Sequence, residues 1–335
     1  MKLSLTIDWR IVAPLLVILA GISWGLIGLF STYLSSVGLS PVQITVVRCS
    51  VAAVVIGVFL ASVKPHAFRI RLRHLWMFVG TGVISIAFYN VCYFACIALC
   101  GLSFAAILLY TAPCFVVLLS AVCFKERLTK QRLFALGLAF AGCLLVVGVG
   151  SGNVSLSAFG ILVGLASGIG YALYSLFARV ALKHYEAPTV MFYTFVCAAC
   201  ALIPFSQPVE IVTCAFSSST VLMVMLGLSL VSTVLPFACY TTGLAHMETG
   251  KASIMAFVEP MVSLFIGVTV FGDVLTLVNV VGVVLIVCAV ALLNLPEKKV
   301  LALVNLSKKE KGKSHQVHFD GNKLRKMRIF AGVKH

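Results

Sequence analysis

Ten separate stretches of this sequence run for roughly twenty residues or more with almost no charge: 11–34, 42–63, 75–99, 102–124, 131–150, 158–178, 188–206, 219–243, 251–271 and 275–294. A helix needs about 20 apolar residues to cross the hydrocarbon of a bilayer. In lipid the backbone has to satisfy its own hydrogen bonds, which a helix does within a single segment. The stretches therefore predict an all-α integral membrane protein with ten transmembrane helices. Composition agrees, because only 10% of the residues are charged, against about 25% in a soluble domain. The first stretch lacks an early cleavage site and is longer than a signal-peptide core, so it reads as a span.

A formal net charge of +15 raises the question of a nucleic-acid partner, and position answers it. The tail 296–335 holds 11 Lys and Arg against three acids. Of the 25 basic residues, 24 fall in the amino-terminal stub, the tail, or segments 64–74, 125–132, 179–187 and 246–251. Alternating spans put all of these on one side, while loops 35–41, 100–101, 151–157, 207–218 and 272–274 carry none. Basic residues concentrate in cytoplasmic loops. Both termini are thus predicted cytoplasmic, with 1–10 as a short stub and no nucleic-acid partner. The tail is expected to be disordered for much of its length. Its clusters at 308–313 and 323–328 either retain the topology or bind anionic lipid, at about 1 kcal/mol per residue near the surface. Asn153-Val-Ser155 is a nominal glycosylation acceptor in an outward loop, meaningful only in a eukaryotic secretory membrane.

The chain also repeats itself. A shift of 147 residues, without gaps, carries Pro113 onto Pro260, Pro41 onto Pro188, Gly21 onto Gly168, Tyr93 onto Tyr240, Phe124 onto Phe271, and Leu128-Thr129 onto Leu275-Thr276. The first five spans map in order onto the last five. Five is odd, so the second repeat crosses the membrane inverted. The charges follow, since 64–74 and 125–132 are basic and their counterparts carry no Lys or Arg. Inverted repeats are a recurring build of secondary transporters, with the substrate site near the midplane.

At these residues the chain resembles the drug/metabolite transporter superfamily, and within it the EamA-type ten-helix transporters. The resemblance spans roughly 11–294. It rests on Pro113 followed by FKERLT at 124–129, on Glu259-Pro260 followed by FGDVLT at 271–276, on Ser23-Trp24-Gly25, and on Arg48. Asp273 stands where the family usually has Glu. The resemblance implies EamA-like five-helix repeats at 11–150 and 158–294. It also implies transport of a small metabolite, amino-acid-like or otherwise amphipathic and often exported, without ATP, in a bacterial inner or cell membrane. No cofactor is implied.

Several residues are candidates for the site. Pro113 and Pro260 fall mid-span, where proline lacks an N–H and clashes with the carbonyl four residues earlier. They are expected to free the carbonyls of Leu109 and Ala256 and to bend their helices, either lining a cavity or only shaping the bundle. Glu259 is the sole acid near a midplane, where a charge costs on the order of 2.5–3.5 kcal/mol on the lenient insertion scale. It would face a cavity and bind a substrate amine or a coupling proton, or else be hydrogen-bonded for structure. Arg48 would receive a substrate carboxylate, snorkel to the headgroups, or pair with Glu259. Trp24, Tyr89, Tyr93, Tyr110, Tyr171, Tyr174 and Tyr240, with Asn90, offer ring faces and polar groups suited to an amphipathic solute. They equally resemble interfacial anchors.

Lys125, Glu126 and Arg127 would form a salt-bridge cluster at the end of the fourth span, with gating as the alternative. Glycines 160, 164 and 168 share one face of the sixth span, a pattern of close helix contact within the bundle or between subunits of a homodimer. Cys197-Ala-Ala-Cys200 has no second pair or histidine cluster, so no metal site is expected. Zinc-protease and nucleophile-elbow motifs are absent from the spans, as is a phosphate-binding loop. A membrane enzyme, a receptor and a channel remain the alternatives to a transporter.

Overall fold

The computed structural model describes residues 8–148 and 157–295. The first seven residues, Asn153-Val-Ser155 and the tail 296–335 lie outside the described residues, and with them the expectations attached to glycosylation and to the basic tail. The described chain has ten helices long and apolar enough to cross a membrane: α1 Trp9–Ser36, α2 Pro41–Val63, α3 Leu72–Cys100, α4 Leu102–Phe124, α5 Lys130–Val147, α6 Ala158–Ala181, α7 Ala187–Phe205, α8 Ser219–His246, α9 Thr249–Phe271 and α10 Leu277–Asn294. They form two five-helix repeats, and an odd number of spans reverses the second.

The repeated residues start helices as well as fill them. Thr129 caps α5 by accepting from the Arg132 N–H at 3.2 Å, and its counterpart Thr276 caps α10 through Asn279 at the same distance. Pro41 and Pro188 stand in the first turns of α2 and α7, where a missing N–H removes no intrahelical bond. Ser40 closes a reciprocal capping box with Gln43. Ser40→Ala should therefore lower stability by about 1 kcal/mol, read as a small drop in the melting midpoint of the detergent-solubilised protein.

Close contacts replace a hydrophobic driving force between helices in lipid. Helices α5 and α10, equivalent in the two repeats, cross where Gly142 meets Gly282, and a Cβ on either would stand 2.6 Å from the other's carbonyl oxygen. The glycine face of α6 is used inside the bundle. Gly160 and Gly164 lie against Cys100 and Cys96 of α3, while Gly164 and Gly168 lie against Leu108 and Thr111 of α4.

At one end of the bundle the basic segments come together. Lys64 pairs with Glu186, Tyr185 Oη accepts from the Arg71 N–H at 3.0 Å, and Lys183 stands 5.5 Å above the Phe124 ring. Trp9 stacks on His246 at 3.6 Å, bringing the start of α1 to that same end.

Four features depart from the sequence reading. The connection 207–218 contains a short helix, Pro208–Ala215. The wider π turns at Gly80–Ala87 in α3 and Leu230–Val234 in α8 occupy equivalent places in the repeats, and a third lies at Gly267–Phe271. Helix α1 is interrupted at Leu26, after Gly25. The Ala256 carbonyl is not left free, because the chain tightens and the Glu259 N–H donates to it at 3.0 Å.

Candidate functional site

The breaks in α4 and α9 position the site. Helix α4 is interrupted at Tyr110–Thr111 and α9 at Ala256–Phe257, each just before its proline. Glycines let other helices approach these breaks. A Cβ on Gly21 of α1 would stand 3.1 Å from the Ala256 oxygen, and one on its repeat partner Gly168 would stand 2.7 Å from the Leu108 oxygen. Each repeat thus presses its first helix against the broken helix of the other.

Between the halves lies a small cavity, with Trp24, Tyr89, Pro113, Tyr171, Tyr174 and Tyr240 among its lining residues. Phe237, Ser175 and Ser253 line it too and were not singled out from the sequence. Phe237 is the hub of the aromatic packing, with ring centroids 5.4 Å from Trp24, 5.0 Å from Tyr174 and 5.0 Å from Phe195. Its position three residues before Tyr240 on α8 was the available signal. The cavity is narrow, because only about 30 Å³ admits the centre of a water molecule, room for two or three waters. A metabolite would have to widen it.

Two of the tyrosine hydroxyls are already occupied. Tyr174 Oη and Thr241 Oγ1 are 2.7 Å apart, and Ser175 Oγ and Tyr240 Oη are 2.8 Å apart, stitching α6 to α8. Both tyrosines present ring surface to the cavity rather than free hydrogen-bonding groups, which corrects part of the sequence expectation. The Tyr89 and Tyr171 rings meet edge to face at 5.3 Å.

The polar candidates separate. Glu259, half-buried on α9, accepts a hydrogen bond from Tyr110 Oη on α4 at 3.3 Å. Neither Glu259 nor Arg48 is among the residues that line the cavity, which corrects the expectation that the carboxylate faces it. Arg48 does not form the direct ion pair with Glu259. Its Nε donates to Thr233 Oγ1 at 3.0 Å, within the π turn of α8. Thr233, missed in the sequence, has no acidic or basic signature. Asn90 turns away from the cavity: Nδ2 donates to the Ile86 carbonyl at 2.7 Å and Oδ1 accepts from Thr45 Oγ1 at 3.4 Å. Tyr93 packs beside Cys96, Cys100 and Leu108. Pro260 is buried on α9 one residue beyond Glu259.

The cluster at the end of α4 also differs from expectation. Glu126 is paired with Arg132, not with its neighbours, and Arg132 also pairs with Glu248. Lys125 occupies the left-handed turn that ends α4.

The model of the EamA-like transporter family matches residues 11–148 and again 158–295. An uncharacterized transporter of Archaeoglobus fulgidus is 29% identical over 266 residues, covering 79% of this chain and 91% of that protein. A Salmonella typhimurium protein named as a probable amino-acid metabolite efflux pump is 24% identical over 222 residues, covering 63% of this chain and 74% of its own. A crystal structure sharing 19% identity superposes with a TM-score of 0.69 over 84% of this chain and 95% of that one, a likeness of fold alone.

Proposed function

The chain belongs to the EamA-like transporter family, and from that premise we propose that it exports a small amino-acid-like metabolite across the cytoplasmic membrane by alternating access. As a family member it is an integral multi-pass transporter, not an enzyme. The substrate class, the direction and the mechanism are the further steps. So are cytoplasmic termini, a bacterial inner membrane as the host, and the two-repeat division at 11–150 and 158–294.

One observation carries the reading: the Glu259 carboxylate lies just past the break in α9, held by Tyr110, and Ala256 of that break lines the aromatic cavity. A carboxylate suits a substrate ammonium and a guanidinium suits a carboxylate. The rings of Trp24, Tyr89 and Tyr171 offer stacking surface to an apolar side chain. Narrowness of the cavity fits a carrier that must change shape to load, and the efflux-pump name of the Salmonella relative supports export of an amino-acid metabolite.

Counterflow tests this. Purified protein in proteoliposomes loaded with one unlabelled amino acid should accumulate the radiolabelled form transiently above equilibrium. A panel of amino acids and related zwitterions in which none overshoots, with the protein folded and inserted, would reject the reading.

A further inference from the structure

At the basic end of the bundle, α4 and α9 are tied together by a side chain. After Phe124 the backbone turns through Lys125, whose φ of 57° is left-handed, and this aims Glu126 at the start of α9. Its carboxylate accepts from the Thr249 N–H at 2.7 Å and from the Gly250 N–H at 3.1 Å. These are two of the donors that a helix start leaves without intrahelical partners. Arg132, 5% exposed, holds the same carboxylate from the other side at 3.4 Å. The helices are close here, because a Cβ on Gly250 would lie 3.3 Å from Val117 and 3.4 Å from Ser120 of α4.

The repeat defines a counterpart at the opposite end. Shifting by 147 residues pairs Glu126 with Asp273, and Thr249 and Gly250 with Leu102 and Ser103. Asp273 is exposed, and its carboxylate has no hydrogen-bond partner among the described residues; Leu102 and Ser103 are exposed as well. The first half of α4 packs on α3, α5 and α6 rather than on α9. One pair of helices is therefore closed where Glu126 lies and parted where Asp273 lies. An inverted-repeat carrier reaches its opposite state by moving one repeat against the other about a fixed site, which exchanges the environments of equivalent residues.

We propose that Glu126 and Asp273 are alternating latches. In the state seen here, Glu126 on the start of α9 closes the pathway at the basic end. In the opposite state Glu126 lets go, and the Asp273 carboxylate caps the Leu102 and Ser103 N–H groups at the start of α4. The roles are positional, since neither side chain has to touch the solute. The proposal rests on the alternating-access reading, but its test needs no solute, so a failed counterflow assay and a failed latch are told apart.

The test is residue-resolved hydrogen–deuterium exchange on the full-length protein. In Glu126→Ala, exchange at Thr249 and Gly250 should rise by roughly tenfold or more, the loss expected for hydrogen bonds to a charged group. Exchange at Leu102 and Ser103 should slow at the same time. Adding Asp273→Ala should abolish that slowing. Faster exchange at 249–250 with no change at 102–103 would make Glu126 a static helix cap and overturn the proposal. Asp273→Ala alone removes an exposed side chain and leaves the fold intact. By depleting the opposite state it should slow exchange at Thr249 and Gly250 several-fold, and an unchanged rate there would also overturn the proposal.

Discussion

Replacing Glu259 by Gln should reduce counterflow by roughly ten- to hundredfold while the protein still folds. The magnitude comes from losing a charge-assisted hydrogen bond to the substrate ammonium, about 1.5–3 kcal/mol, with each 1.4 kcal/mol worth about tenfold. Gln keeps the volume and can still accept from Tyr110, so the contact with α4 at 3.3 Å survives. What is lost is the charge that would meet a substrate ammonium or carry a coupling proton. Tyr110→Phe removes one long hydrogen bond and leaves the charge, so its effect should stay within a few-fold. An unaltered rate in Glu259→Gln, with unaltered melting and elution, would assign the carboxylate to structure alone.

Gly168→Val should prevent most of the protein from folding or inserting. A Cβ there would stand 2.6 Å from Thr111 Oγ1, 2.7 Å from the Leu108 oxygen and 3.5 Å from the Leu109 oxygen. Two of these atoms are backbone at the break in α4, which cannot retreat without moving α4 itself. Overpacking a tight contact typically costs 1–3 kcal/mol, and valine adds two methyl groups beyond that Cβ. The repeat partner is more forgiving: Gly21→Ala places its methyl 3.1 Å from the Ala256 oxygen and 3.4 Å from the Glu259 nitrogen, so it should express with reduced stability. Gly28 and Gly137, with open space where a Cβ would go, provide controls whose alanine variants should melt like the parent. Detergent-extracted yield and monodispersity measure the difference, and a monodisperse Gly168→Val protein at parental yield would show that the two helices are not locked there.

The fold was legible because its signals are long. Twenty-residue apolar runs leave the chain few alternatives, and a gap-free shift of 147 residues needs only the order of the prolines, glycines and Leu-Thr pairs. The breaks in α4 and α9 were legible where residue types are rare, at the two mid-span prolines Pro113 and Pro260. The site was obscured where orientation decides the outcome. Asn90 and Tyr89 are adjacent in sequence, yet Tyr89 lines the cavity and Asn90 bonds to Ile86 and Thr45. Arg48 showed no preference for Thr233 over Glu259, because its partner depends on how α2 meets α8. The hydroxyls of Tyr174 and Tyr240 looked available until Thr241 and Ser175 were placed beside them. Glu126 has a basic neighbour on each side, but its role lies 123 residues away at Thr249, a distance no local pattern spans.

The matched π turns in α3 and α8 carry a practical consequence for labelling scans. Each such turn holds an extra residue relative to α-helical winding, so positions beyond it are rotated by about 100° from where a 3.6-residue wheel would draw them. A cysteine-accessibility series along α3 should keep one phase up to Gly80 and slip by one position after Ala87. The same slip should recur across Leu230–Val234 in α8, so the reactivity profiles of the two segments should superpose on the 147-residue shift while each departs from a 3.6-residue wheel.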